Sequence, residues 1–158
     1  MEHLYLFYVI AVMMVFPVAS ILVELFVTEK SHDTWETIGK WFIFWAIGVR
    51  ALTAGISQSL NPGFTASLLQ VDESSFVVIR ELGFANTCMG LTGVISLFVP
   101  AWRNPAGFCV GLFLGIAGVL HITRIAEGIN ARETIAMISD LGAFLVVAAY
   151  LLRQVRSR

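Results

Sequence analysis

Arg50, Glu81, Asn86, His121, Arg124 and Asp140 are the side chains best suited to ionic, proton-transfer or ligand-binding chemistry in an otherwise apolar chain. In a dry setting a carboxylate and an imidazole exchange protons readily, and a guanidinium beside them holds an anion or a carbonyl oxygen. Their spacing matches no compact catalytic signature. Neither a Gly-x-Ser-x-Gly elbow, nor a phosphate loop, nor a dinucleotide fingerprint occurs in usable context. His121 has no companion at ligand spacing, since His3 and His32 lie elsewhere and the chain has no His-x3-His or Cys-x2-Cys pair. No metal or haem site is expected. Cys88 and Cys109 are too few for a disulfide framework and read as buried apolar fillers.

The elements that must position these residues follow from composition. Of 158 residues, 58% are apolar and 13% charged, against about 45–50% and about 25% in soluble domains. Mean hydropathy is +0.82. The balance excludes a disordered chain, a nucleic-acid partner and an ordinary soluble enzyme. A net charge of −1 advertises no charged partner. Crossing about 30 Å of hydrocarbon takes about 20 mainly apolar residues in a helix, and such stretches occur at about 4–27, 38–60, 76–100, 105–126 and 134–152. The expected fold is all-α: a polytopic membrane protein of five transmembrane helices forming one integral domain over 1–158. The acidic leader Met1-Glu2-His3 and the apolar run beyond Ala19-Ser20 argue against a cleaved signal peptide.

Connections carry loop chemistry. Residues 28–40 are polar, Asn61-Pro62-Gly63 is a turn signal, and residues 64–71 could lie along the interface as a short amphipathic helix. Asn104-Pro105 suits a helix start, with Asn as cap. Pro17, sharing a face with Ser20 and Glu24, is expected to kink the first helix. Lys30, Lys40, Arg103, Arg153, Arg156 and Arg158 fall on one side of a five-crossing chain. The opposite loops offer Arg132, with Arg80 and Arg124 just inside helix ends. The charge bias places the N-terminus outside and the C-terminus in the cytoplasm, with Trp35, Trp41 and Trp102 at the inner interface and Tyr5 and Tyr8 near the outer one.

This topology gathers Arg50, Arg80, Glu81, Asn86, His121, Arg124 and Asp140 in the outer half of the bilayer. The inner half offers only Glu24. An unpaired Asp, Lys or Arg at a helix centre costs roughly 2.5 to 3.5 kcal/mol on insertion scales. Three cations (Arg50, Arg80, Arg124) match three anions (Glu81, Glu127, Asp140), and the expected partner of Arg50 is Asp140 or Glu81. Arg50, Thr53 and Ser57 form one inward stripe, and Ala136, Asp140 and Ala143 another. The layer reads either as ion pairs that fix helix register, with Arg80 and Arg124 snorkelling to headgroups, or as a polar cavity open to the outside. Gly107, Gly111, Gly115 and Gly118 repeat small residues along the fourth helix, and Gly83, Gly90 and Gly93 flank Asn86. They are expected to pack helices within one chain, with homo-oligomer contact as the alternative.

Arg80-Glu81-Leu82-Gly83-Phe84-Ala85-Asn86 with Gly90-Leu91 resembles a pattern in small bacterial inner-membrane proteins. So do Trp45-Ala46-Ile47-Gly48-Val49-Arg50 and Gly115-Ile116-Ala117-Gly118 with His121. These proteins loosely resemble the DoxX group. The resemblance implies a bacterial cytoplasmic membrane, groups Arg50, Glu81, Asn86 and His121, and admits a quinone as cofactor, although the residues themselves call for none. Three functions remain open. One is a non-enzymatic protein that binds a small ligand or lipid, or assists a membrane partner, through the outer-half pocket. The others are a membrane-embedded enzyme acting on a quinone or other apolar substrate, and an oligomeric transporter of protons or small solutes.

Overall fold

The computed structural model describes residues 2–28, 33–129 and 131–156, which form helices joined by short connections, without a strand. α1 (Glu2–Ile10), a π-helical stretch Ala11–Val15 and α2 (Phe16–Val27) run on as one rod. A second rod joins α3 (Thr34–Phe42), a π-helical stretch Ile43–Val49 and α4 (Arg50–Leu60). The short α5 (Pro62–Leu69) follows, and a 3-10 turn at Glu73–Ser75 leads into α6 (Phe76–Ile95). Another 3-10 turn at Pro100–Trp102 starts α7 (Arg103–Thr123), and a third at Ile125–Glu127 precedes α8 (Ala131–Arg156). Below, the upper end of the bundle is the one holding α5 and the α7–α8 connection.

Among the described residues, three helices are long and apolar enough to cross a membrane: Leu6–Val27, Pro100–Thr123 and Glu133–Arg156. The five-crossing expectation is met at this level by three. The α3–α4 rod and α6 are diluted by Glu36, Lys40 and Arg50 and by Arg80, Glu81 and Asn86. The bundle wears its large apolar side chains outside, with Phe7 70%, Phe26 85%, Phe98 77% and Leu145 63% exposed. A surface of this kind suits lipid or a partner and not water.

Local chemistry moves several helix boundaries. The α3 helix starts at Thr34, not at 38, because the Asp33 carboxylate accepts the Trp35 N–H at 3.0 Å and Glu36 stands in the first turn, as N-caps require. α7 begins at Arg103 out of its 3-10 turn, so Asn104 lies inside the helix and does not cap it. α6 stops at Ile95, short of 100, and α8 continues to Arg156. A short helix does stand where one was expected over 64–71, as α5, capped by Asn61 and closed by Gln70 in the left-handed region (φ 57°). Beyond it, the Ser74 N–H and hydroxyl hold the exposed Asp72 carboxyl below its usual range. Pro17 does not end its helix. It cannot donate to the preceding turn, and the backbone widens there, the Phe16 N–H bonding to Ala11 O.

Close packing rests on glycine. A methyl group added at Gly48 would stand 2.7 Å from the Gly93 carbonyl carbon, and one at Gly83 would stand 2.8 Å from the Ser59 nitrogen. At Gly90 it would run into the Leu52 backbone. The α3–α4 rod and α6 therefore touch backbone to backbone, the close approach that small residues allow between helices. On the other side, Gly107 and Gly111 face Val147, Gly115 faces the Phe144 ring and Gly118 faces Leu141, which seats α7 on α8. Between these pairs sits a core of Val9, Met13, Ile43, Ala46, Ile47, Val110, Leu114, Ala143 and Val147.

Gly90→Ala should lower stability by about 1–3 kcal/mol through overpacking, read as thermal unfolding in detergent. Gly142→Ala, with nothing within 4 Å of its new methyl, should be neutral or gain up to ~1 kcal/mol. Equal melting of the two variants would contradict this packing.

Candidate functional site

The α3–α4 rod and α8 run antiparallel with a constant register. Glu36 meets Gln154, Gly39 meets the Tyr150 ring, Ile43 faces Val147 across Gly107, and Arg50 meets Asp140. Each step along one helix is matched by a step back along the other. Fourteen residues separate Glu36 from Arg50, roughly 21 Å at helical rise, so polar contacts close this helix pair at two levels with apolar core between.

At the upper level Arg50 Nη2 donates to Asp140 Oδ1 at 2.8 Å. The Asp140 side chain is 4% exposed and that of Arg50 24%. Arg50 opens α4 directly after the π-helical stretch, and its N–H bonds to Trp45 O. Such widened turns re-aim side chains and recur at functional sites. The bridge is monodentate: no second hydrogen bond joins Arg50 or Asp140 to another described side chain. His121, on α7, lies near the level of Asp140, since Gly118, three residues before it, faces Leu141, the residue after Asp140. The His121 Nδ1 is buried and has no hydrogen-bond partner. Toward the upper end the Tyr8 hydroxyl meets Thr53 Oγ1, which also donates to Val49 O at 2.8 Å.

The other expected members separate from this group. Asn86 donates to Gln58 Oε1 at 2.8 Å, inside the α4–α6 contact. Glu81 lies five residues above Asn86 and Arg50 eight below Gln58, so about 20 Å of axial rise parts them. Glu81 is exposed and is not the partner of Arg50. Arg124, half exposed, pairs with Glu133 at 3.0 Å, so it too leaves the Arg50 site. Arg80 is exposed near the upper end of α6, and Thr53 is exposed despite the inward stripe expected for it. The side chains of Tyr5, Glu127 and Arg132, and residues Lys30 and Arg158, lie outside the described residues.

The lower end holds more than Glu24. The Glu36 carboxylate accepts from Arg103 Nη1 at 2.8 Å, from the Tyr150 hydroxyl at 3.3 Å and from Gln154 Nε2. Nearby, Glu24 pairs with Lys40 and accepts the Trp41 indole N–H at 2.7 Å, while Trp45 donates to Ser20 Oγ at 3.0 Å. Asp33-Thr34-Trp35-Glu36 carries the spacing of a capping box, which was the signal for a helix in place of the polar loop expected over 28–40. Nothing in the sequence points Glu36 at Arg103, 67 positions away. Arg103 Nε and Asn104 Oδ1 are buried without partners.

Two clefts of about 390 Å³ each lie on the flanks of α6. One is lined by Ile56, Ser59, Leu60, Phe84, Thr87 and Cys88. The other lies between Met89 and Thr92 of α6 and Trp102, Pro105 and Cys109 at the start of α7. Neither includes Arg50 or Asp140, and Cys88 and Cys109 are exposed along them, not buried as expected. No group of three or more His, Cys, Asp or Glu side chains forms a metal site among the described residues.

Removing one member of the bridge strands a buried charge, which costs roughly 3–5 kcal/mol. Arg50→Met alone and Asp140→Leu alone should each lose on that scale. The double variant should recover a large part, since two apolar groups leave nothing unpaired. Urea or thermal unfolding in detergent measures the cycle, and strictly additive losses would contradict a direct pair.

No curated protein and no solved structure matches this chain. A family model matches residues 7–158, nearly the whole of the sequence. The chain belongs to DUF6790, a family of unknown function.

Proposed function

We propose that this protein is a five-crossing integral protein of a bacterial cytoplasmic membrane, N-terminus outside and C-terminus in the cytoplasm. Its outer-half site binds a small ligand or lipid, or engages a membrane partner, without catalysis. The observation that carries this reading is the Arg50–Asp140 bridge: two charges 90 positions apart meet among apolar helices and use only one of their hydrogen bonds. Intramembrane ionisable groups are a functional hypothesis by default, and the unused donors and acceptor leave this pair able to engage a further polar group. Below it Ile43, Ile47, Leu114 and Val147 are fully buried, which favours a blind site over a transport path. The site residues are Arg50, Asp140 and His121, with Asn86, Glu81 and Arg124 outside it.

A second reading, an enzyme handling a quinone or other apolar substrate, is favoured by the unpartnered His121 Nδ1 beside Asp140, a pair able to pass a proton. Turnover of quinol analogues by purified protein supports it; an inert protein leaves binding as the function.

Topology comes first. With Ser67→Cys and Ala101→Cys introduced singly into a protein lacking its native cysteines, an impermeant maleimide should label Ser67→Cys from outside intact cells. It should reach Ala101→Cys only after permeabilisation. Labelling of both from one side would contradict five crossings. In lipid nanodiscs, thermal stabilisation by decanoate or by a short-chain quinone analogue should be present in the parent and lost in Arg50→Lys, which keeps charge but not fork geometry. Stabilisation indifferent to that change contradicts a ligand site at Arg50.

A further inference from the structure

Within the bundle two tightly packed subassemblies can be distinguished. The α3–α4 rod is joined to α6 through Gly48, Gly55, Gly83, Gly90 and Gly93, and α7 is joined to α8 through Gly107, Gly111, Gly115 and Gly118. In the half toward α5, Arg50–Asp140 is the ion pair between the two among the described residues. At the other end Glu36 ties them through Arg103, Tyr150 and Gln154. The lower tie draws on three donors, and the upper one on a single hydrogen bond.

His121 belongs to the same subassembly as Asp140. Gly118, one turn before His121, faces Leu141, one residue after Asp140, so imidazole and carboxylate stand at neighbouring levels of the α7–α8 pair. The buried Nδ1 has no partner. A buried nitrogen without a partner is costly, and protonation would make it a donor with a carboxylate nearby. We propose that His121 is a proton-binding site reached from the outer face, and that its protonation draws Asp140 from Arg50 to His121. This releases the upper tie while the Glu36 network holds the lower one. The inference rests on the outer-half ligand site proposed above and adds its regulation.

The charges around the switch are few. Asp140 is faced by Arg50 from α4 and by His121 from α7, and the Arg124–Glu133 pair lies about one turn above His121 and two above Asp140. From the first rod Tyr8 contributes a hydroxyl engaged with Thr53. With Asp140 ionised and His121 neutral, the carboxylate has one cationic partner, and it bridges the subassemblies. One added proton creates a second cation, placed within the carboxylate's own subassembly. Outer acidification that protonates His121 therefore loosens the upper half. Raising the pH restores the bridge.

The test is a spin-label distance measurement on the full chain in nanodiscs. Leu60→Cys and Ile125→Cys, both exposed at the upper end, carry the labels in a Cys88→Ser, Cys109→Ser background. Acidification should add a longer-distance population in the parent. His121→Gln should hold the short distance at every pH, and His121→Arg should show the long one even at neutral pH. A distance unchanged by pH in the parent overturns the switch, as does an acid response that survives His121→Gln. Decanoate or quinone-analogue stabilisation of the same labelled protein is read in parallel. If it persists while the distance stays fixed, the switch fails and the ligand site stands; if both are absent, the ligand reading fails with it.

Discussion

A guanidinium and a carboxylate enclosed by apolar helices have to find each other, and this requirement sets the register between the α3–α4 rod and α8. Leucine and valine can slide past one another at small cost, because any apolar neighbour serves. Arg50 cannot, since a shift of one turn would leave it and Asp140 as unpaired charges in a setting of low dielectric. The 2.8 Å contact therefore acts as an index mark along two long helices. Tyr150 against Gly39 and Val147 near Ile43 follow from the same alignment.

The second constraint is closeness. Association inside lipid draws little on the hydrophobic effect, so helices gain by bringing backbones together. Glycine supplies that approach on both flanks of the core. Gly48 meets Gly93 directly, whereas the α7 glycines receive the larger Val147, Phe144 and Leu141 of α8. The clefts flanking α6 lie beside these contacts and are lined by apolar side chains, the hydroxyl residues Ser59, Thr87 and Thr92, and the thiols of Cys88 and Cys109. A tight pair, a second tight pair and a polar tie at each level between them make an arrangement in which one end can open while the other stays closed.

The helices were legible because long apolar runs leave few alternatives, and Arg50 with Asp140 was legible because depth alone brought them together. Glu81 was a misleading partner: it is a carboxylate on a neighbouring helix, but antiparallel packing carries it about 20 Å up the axis, where it is exposed. Axial register of this kind becomes visible only once Gly90 is seen against Leu52. Arg124 has its partner, Glu133, across the α7–α8 connection, a local pairing that a common charge layer does not predict. The Glu36 network is hidden in the sequence for another reason. Its members come from α3, α7 and α8, and only the capping pattern at Asp33 hinted that the segment was helical at all.

Everything above depends on Arg50 and Asp140 touching in the lipid-embedded protein. Solid-state NMR can measure it directly, as dipolar coupling between labelled guanidinium nitrogens and aspartate carboxyl carbons, with the Arg50 signal identified by its absence in Arg50→Lys. A coupling between Arg50 and Asp140 at hydrogen-bonding range is the predicted result. Absence of that coupling in a folded sample, or transfer from Arg50 to Glu81 instead, would contradict the account.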